Sequence, residues 1–201
     1  MLAGAFSLDL FAGAMMQLVD DAEGGIRYWP GFVDAARAQE WFATLHAKAA
    51  WTHLQRPMYD RVVDVPRLLA SYRREAFPPD LPLMDMLIRV QAIAPAPYNG
   101  VGMNLYRDGN DSVAMHSDKL HMLTKPYPIA LVSLGDPRRM LIRAKAGDRS
   151  AIAIDLEPGS LLCMSHASQL SHEHGIPKTK KLQGSRISAV FRVRPGGHQK
   201  D

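Results

Sequence analysis

Three groups of residues in this chain have the types and spacing to do chemistry. The first is His116-Ser117-Asp118, which closes the strand-like run SVAMH. In an extended strand, residues two apart project to one face, so an imidazole and a carboxylate can converge there on one metal ion. The second is Ser171-His172-Glu173-His174-Gly175-Ile176-Pro177. Either His172 or His174 can be a third ligand, since the two share a face when extended, and spacing does not choose between them. Two histidines and a carboxylate on one side of an ion leave positions open for a bidentate co-substrate and O₂, as non-haem Fe(II) oxygenases require. A separate hydrolytic zinc site built from His172, Glu173 and His174 is the competing reading. It leaves the third group without a role.

The third group is the run from Arg186 to Arg194. Its alternation puts Arg186, Ser188, Val190 and Arg192 on one face, and Ile187, Ala189, Phe191 and Val193 on the other. Six residues of strand span roughly 20 Å, so two inward arginines can grip a short dicarboxylate from its two ends. Arg61/Arg67, Arg67/Arg73 and Arg143/Arg149 repeat the spacing, so spacing alone singles out nothing. The alternating strand does, because an arginine buried in it demands an anionic partner. The plainer reading is a pair of surface charges guarding an edge strand. Likewise, a His-x-Asp triplet by itself is no more than a polar strand end; only the ordered set is informative.

The elements that must position these groups are legible in outline. From residue 101 onward, short strand-like runs alternate with turn signals: GMNLY, SVAMH, PIALVSL, RRMLIRA, SAIAIDL, GSLLCMS and RISAVFRV, separated by RDGND, GDPR, AGDR and EPGS. Many short, regularly punctuated strands predict an antiparallel sandwich or barrel such as a jelly roll. Before residue 97 two helices are expected. Residues 34–49 place Trp41, Phe42, Leu45 and Ala49 at helical spacing behind an Asp34 cap, and residues 82–94 do the same with Met84, Leu87, Ile88 and Gln91 behind Pro82. Residues 51–80, basic, aromatic and broken by prolines, read as irregular surface structure. The expected organisation is one integrated α+β domain, with helices and a lid in 1–97 and a β-core in 98–201.

At 201 residues the chain can bury a core without a staple. Cys163 is its only cysteine, which excludes an internal disulfide and fits a reducing compartment. The apolar patches at the N-terminus lack a basic start, and no run is long enough to span a bilayer. A cytoplasmic protein without a membrane partner is therefore expected. A formal charge of +4 permits nucleic-acid binding without demonstrating it. Lys178, Lys180 and Lys181 read as a solvated loop, the eleven methionines as core filler, and Cys163 as an inert buried thiol.

The ordered set resembles the AlkB family of Fe(II)/2-oxoglutarate-dependent nucleic-acid dioxygenases. NLYRDGNDSVAMHSD, GSLLCMS, HGIPK and RISAVFR fall in that family's order and spacing across residues 98–195, and VPRLLASYR is a fainter match to its duplex-repair branch. The resemblance implies a double-stranded β-helix core carrying a nucleotide-recognition lid. It implies His116, Asp118 and His174 as Fe(II) ligands, since HGIPK selects the histidine before Gly-Ile. Arg186 would pair with the distal carboxylate of 2-oxoglutarate, and Arg192 would lie near the chelated end. Asn104 and Tyr106, with Ser188 on the arginine face, would complete the co-substrate site.

The chemistry so implied decarboxylates 2-oxoglutarate to succinate and CO₂, using O₂, and hydroxylates an N-methyl carbon. The resulting hemiaminal releases formaldehyde and the repaired base, which must leave its stack to react. The lid offers Arg56, Arg61, Arg67, Arg73 and Arg74 for phosphates and Tyr59, Tyr72 and Phe77 for stacking. Tyr59, Arg67, Tyr72 and Leu120 are the candidate substrate residues of a monomeric enzyme acting on nucleic acid. Two departures concern the substrate: Lys119-Leu120-His121 stands where the family's repair enzymes carry an acid, and REAFPPDLP replaces a fuller aromatic pattern. They keep a second reading open, an oxygenase of the same chemistry acting on a small molecule or a protein side chain. A non-catalytic nucleic-acid binding module is the third, and the intact ligand set argues against it.

Overall fold

The computed structural model describes residues 14–58, 61–148 and 150–196. Two sheets make the core. The larger runs β1 (Met16–Val19), β2 (Ile26–Trp29), β10 (Ser160–Met164), β7 (Ile129–Gly135), β12 (Arg186–Arg192), β5 (Gly100–Tyr106), β4 (Arg61–Arg73) and β3 (Thr52–Met58) from edge to edge. The smaller runs β6 (Val113–His116), β11 (His172–Ile176), β8 (Arg138–Ala144) and β9 (Ala151–Leu156). Every pairing is antiparallel. All seven runs expected to be strands are strands.

Strand alternation sorts the side chains into two cores. Ile129, Leu131, Leu162, Met164 and Val190 of the large sheet meet Met140, Ile142, Ile154, Leu156 and Ile176 of the small one. The alternate residues, among them Ala130, Val132, Leu161, Cys163, Ile187 and Phe191, pack against two helices on the outside of the large sheet. The result is three layers, helices on sheet on sheet, in keeping with a jelly-roll core.

Helix α1 (Ala35–Lys48) starts where Asp34 accepts a hydrogen bond from the backbone N–H of Arg37 at 2.8 Å, the cap expected of that residue. It buries Trp41 and Leu45, as its spacing predicts. Helix α2 (Leu83–Ile93) buries Leu83, Met86, Leu87 and Val90. Of the expected stripe Leu87 is buried, but Met84 and Ile88 are 43% and 61% exposed. The segment is apolar on several sides, so two stripes fit the same period and only packing chooses between them.

Residues 51–80 also depart from expectation. Within them β3 and β4 pair and extend the large sheet, where irregular structure is expected. The prolines mislead for a physical reason: a residue without an N–H is tolerated on an edge strand, as Pro57 is on β3, or where the ladder is not formed. Pro66 falls between the paired stretches, since β4 pairs with β5 only from Leu68 to Arg73 and the β3 register slips between His53 and Gln55. β1 and β2, four residues each, are too short to show a period and were not anticipated. No helix among the described residues is long and apolar enough to cross a membrane.

Candidate metal and co-substrate centre

Between the sheets opens a cavity of about 910 Å³, lined by residues of both. On the small sheet, β6 and β11 pair so that His116 stands directly opposite His174. Their rings lie 4.6 Å apart, centre to centre. Gly175 makes this approach possible: a Cβ there would sit 2.9 Å from the Val113 carbonyl oxygen and 3.0 Å from the Met115 nitrogen. Asp118 follows β6 on the same side as His116. Ligand atoms of His116, Asp118 and His174 all lie within 4.8 Å of one another, and no other group of three or more candidate ligands occurs among the described residues.

The surroundings hold each ligand in a state ready for a metal. His116 Nδ1 is 2.9 Å from the Ala114 carbonyl oxygen. A carbonyl only accepts, so Nδ1 carries the proton and Nε2 presents its lone pair. His174 is 7% exposed, and burial, then the neighbouring His116, push its pKa down to about 4. It is a neutral donor through the physiological range. Burial alone would raise the Asp118 carboxyl, but the Arg192 guanidinium, its hydrogen bond and the two histidines hold it below the usual carboxylate range. The backbone N–H of Asp118 donates to Gln169 Oε1 at 3.0 Å, and Ser117 Oγ donates to the His172 carbonyl at 2.7 Å.

β12 is a central strand, flanked by β5 and β7, so its arginines do not guard an edge. Arg186, Ser188, Val190 and Arg192 line the cavity, while Ile187, Ala189, Phe191 and Val193 join the helix-side core. Arg186 is fully buried; its Nε donates to Ser133 Oγ at 3.0 Å, and both terminal guanidinium nitrogens lack a hydrogen-bond partner. Burial pushes its pKa down to about 10, so it remains a cation at neutral pH. A buried cation with two unsatisfied N–H-bearing nitrogens is costly to fold. A carboxylate arriving through the cavity removes that cost with a bidentate contact.

Tyr106 lies against this cation, its ring centre 5.2 Å from the Arg186 guanidinium carbon. Asn104, on the same face of β5, donates to Ser188 Oγ at 3.3 Å and accepts from Arg67 Nε at 2.8 Å. The donor set thus fits a divalent metal of the Fe(II) kind, and the orphaned guanidinium fits one carboxylate of a short dicarboxylate. The first has three ligands on one side and leaves the opposite side open to the cavity.

The expected substrate residues fare unevenly. Arg67 lines the cavity but is engaged with Asn104 and, at 3.0 Å, the Ser112 carbonyl, so it braces the co-substrate wall. Tyr72 points the other way. Alternation along β4 gives Arg67, Leu69 and Ser71 to the cavity and Tyr72 to the helix-side core, where its hydroxyl accepts from the Ala50 N–H at 2.9 Å. Phe77 packs on that core too. Leu120, in a short 3₁₀ turn (Leu120–Met122), is not in the lining, whereas Lys119 and Met122 are. Tyr59 and the side chains of Arg56 and Arg61 fall outside the described residues.

Sequence reasoning missed Gln169 and Arg138. Arg138 is 2% exposed and donates to the carbonyls of Asp108, Asp111 and Pro177 at 2.8–2.9 Å, fixing the turn that leads into β6. No spacing signal marks either residue, since each acts through backbone atoms far away in the chain. Cys163 is the inert thiol expected of it: buried, with its pKa pushed up to about 12 by burial.

A family model described as the 2OG-Fe(II) oxygenase superfamily matches residues 69–192. Over 183 residues the chain is 31% identical to the alpha-ketoglutarate-dependent dioxygenase alkB homolog 3 of Bos taurus; the match covers 82% of this chain and 64% of that relative's length. It is 30% identical over 122 residues to the DNA oxidative demethylase ALKBH2 of Homo sapiens, covering 57% of this chain and 47% of the relative. Among solved structures, that of OsALKBH1 superposes with a TM-score of 0.59 at 18% identity, covering 84% of this chain and 98% of the other.

Proposed function

Because the chain belongs to the 2OG-Fe(II) oxygenase superfamily and is similar to AlkB homologues, we propose that it is an AlkB-type enzyme that oxidatively demethylates N-alkylated nucleic-acid bases with Fe(II), 2-oxoglutarate and O₂. The observation that carries this is Arg186, a fully buried guanidinium with two unpaired nitrogens in the same cavity as the His116, Asp118 and His174 triad.

When bound, the iron supplies the oxidising chemistry. The protein supplies the rest. Arg186 anchors one carboxylate of the co-substrate, with Asn104, Ser188 and Tyr106 shaping the wall beside it. Arg192 holds the Asp118 carboxylate at 2.6 Å and so sets its direction toward the ion. The apolar floor, Leu131, Met140, Met164, Ile176 and Val190, excludes water from the reacting centre. The target base leaves its stack and enters from the mouth, over the β3–β4 pair, which we assign as the nucleotide-recognition lid. The enzyme works as a monomer in the cytoplasm on this reading.

The test is succinate and formaldehyde release by the protein with Fe(II), 2-oxoglutarate and O₂, with and without an oligonucleotide carrying 1-methyladenine and 3-methylcytosine. Formaldehyde matched to succinate, and only with the methylated strand, is the expected result. Succinate without formaldehyde would instead favour a small molecule or a protein side chain as substrate, the reading to which Lys119-Leu120-His121 lends support.

A further inference from the structure

The cavity side of the large sheet carries three arginines in a row, Arg73, Arg192 and Arg194, of which the metal and co-substrate centre uses only Arg192. Arg73 of β4 pairs with Gly100 of β5, and Gly100 pairs with Arg192 of β12. Directly opposed residues in antiparallel strands project to the same face, so Arg73 and Arg192 share the cavity side. Arg194, two residues on, lines the cavity as well. The Arg194 and Arg192 guanidinium groups lie over Gly100 and Gly102 of β5 at ordinary contact distance. A Cβ at Gly100 would lie 4.0 Å from Arg194 Nε, and one at Gly102 would lie 3.6 Å from Arg192 Nη1.

Three guanidinium groups here face one carboxylate, and it is taken. Asp118 pairs with Arg192 at 2.6 Å. Among the described residues neither Arg73 nor Arg194 makes an ion pair. Burial, then Arg192, lower the proton affinity of Arg194; Asp118 opposes the shift and Arg73 adds to it. A divalent metal and a dicarboxylate cancel one another's charge, so loading the centre does not relieve this row.

We propose that Arg73 and Arg194 form a clamp for the phosphodiester next to the target base. This rests on reading the cavity as a nucleic-acid demethylase site. An extruded base enters while its own backbone stays outside, and of the two arginines Arg73 is exposed while Arg194 is a half-buried part of the cavity lining. A phosphodiester is a single anion with two acceptor oxygens, which suits a pair of forks.

The experiment compares two short single strands carrying one 1-methyladenine. One has natural linkages; the other has uncharged methylphosphonates on both sides of the modified base. Binding to the protein with Mn(II) and 2-oxoglutarate is read by fluorescence anisotropy, and formaldehyde release is read with Fe(II). The unsubstituted protein is expected to prefer the charged strand by about ten- to a hundredfold. Arg73→Met/Arg194→Met should abolish most of that preference. Arg89→Met/Arg139→Met, which removes equal charge from exposed positions outside the cavity lining, should keep it.

A preference that survives Arg73→Met/Arg194→Met overturns the clamp, as does equal binding of the two strands by the unsubstituted protein. If formaldehyde appears without any preference, the demethylase reading stands and the clamp falls. If the preference appears and depends on the two arginines while no formaldehyde forms, the clamp stands and the demethylase reading falls. Binding of neither strand overturns both.

Discussion

Arg192 Nε lies 2.6 Å from Asp118 Oδ2 across the gap between the two sheets, joining the arginine strand to the metal-binding turn. One contact thus couples the co-substrate wall on β12 to the ligand set on β6 and β11. The guanidinium keeps Asp118 ionised against the effect of its burial and takes up one of its two oxygens. The other is left for the ion.

Arg192→Met should therefore weaken metal binding as well as co-substrate binding. Outer contacts of this kind are worth about 10–100-fold in metal affinity. The check is titration of the protein with Fe(II) under anaerobic conditions, or with Mn(II). An unchanged metal affinity would show that Asp118 needs no help from β12.

Arg186→Met makes an opposite pair of predictions. Replacing a buried charge by an apolar side chain of similar volume stabilises folds by about 1–4 kcal/mol in comparable cases. Here the charge lacks partners for two of its nitrogens, so the ligand-free variant should unfold at higher denaturant than the parent. It should also lose the stabilisation that 2-oxoglutarate gives the parent. A variant that is less stable, or still stabilised by 2-oxoglutarate, would remove Arg186 from the co-substrate site.

Gln169 is 2% exposed and accepts the backbone N–H of Asp118. Gln169→Leu leaves that N–H without its acceptor, at a cost of about 1–3 kcal/mol if no water replaces it. Metal affinity should fall by about 10–100-fold, with Gln169→Glu, which retains an acceptor, losing less. Equal losses in the two variants would point to packing rather than to the hydrogen bond.

How far the sequence reached can be argued from particular residues. The face assignments along 186–193 hold because alternation survives even in a strand buried on both sides; the pattern needed only the period of two. His116 and Asp118 were readable for the same reason. His174 was not separable from His172 by period, and the structure brings it into the cluster through the pairing with His116 and the missing side chain of Gly175. Tyr72 misled because its residue type suggests stacking, while its parity on β4 sends it to the helix side. That parity was invisible so long as the prolines argued against a strand. Gln169 and Arg138 bond to backbone atoms remote in the chain, so no local pattern points to them.

The last prediction concerns pH. His174 has its pKa pushed from the usual 6.5 down to about 4, chiefly by burial. In the unfolded chain the imidazole binds a proton as pH falls through about 6.5, and in the folded chain it does not until about 4. The unfolded state then binds more protons, so metal-free protein must lose stability as pH falls across that window. Asp118 acts in the same direction but lower down. Its folded pKa is held below the usual 3.8, so its contribution is present above that value and fades beneath it. The two are separable by pH. Denaturant unfolding of metal-free protein at about pH 7 and about pH 4.5 should show a clear loss of midpoint, and His174→Gln should lose less. Metal binding needs the neutral imidazole, so saturating Mn(II) should raise stability more at the higher pH. An equal decline in parent and variant would mean that burial does not keep His174 neutral, and that the cavity is wetter than its lining implies.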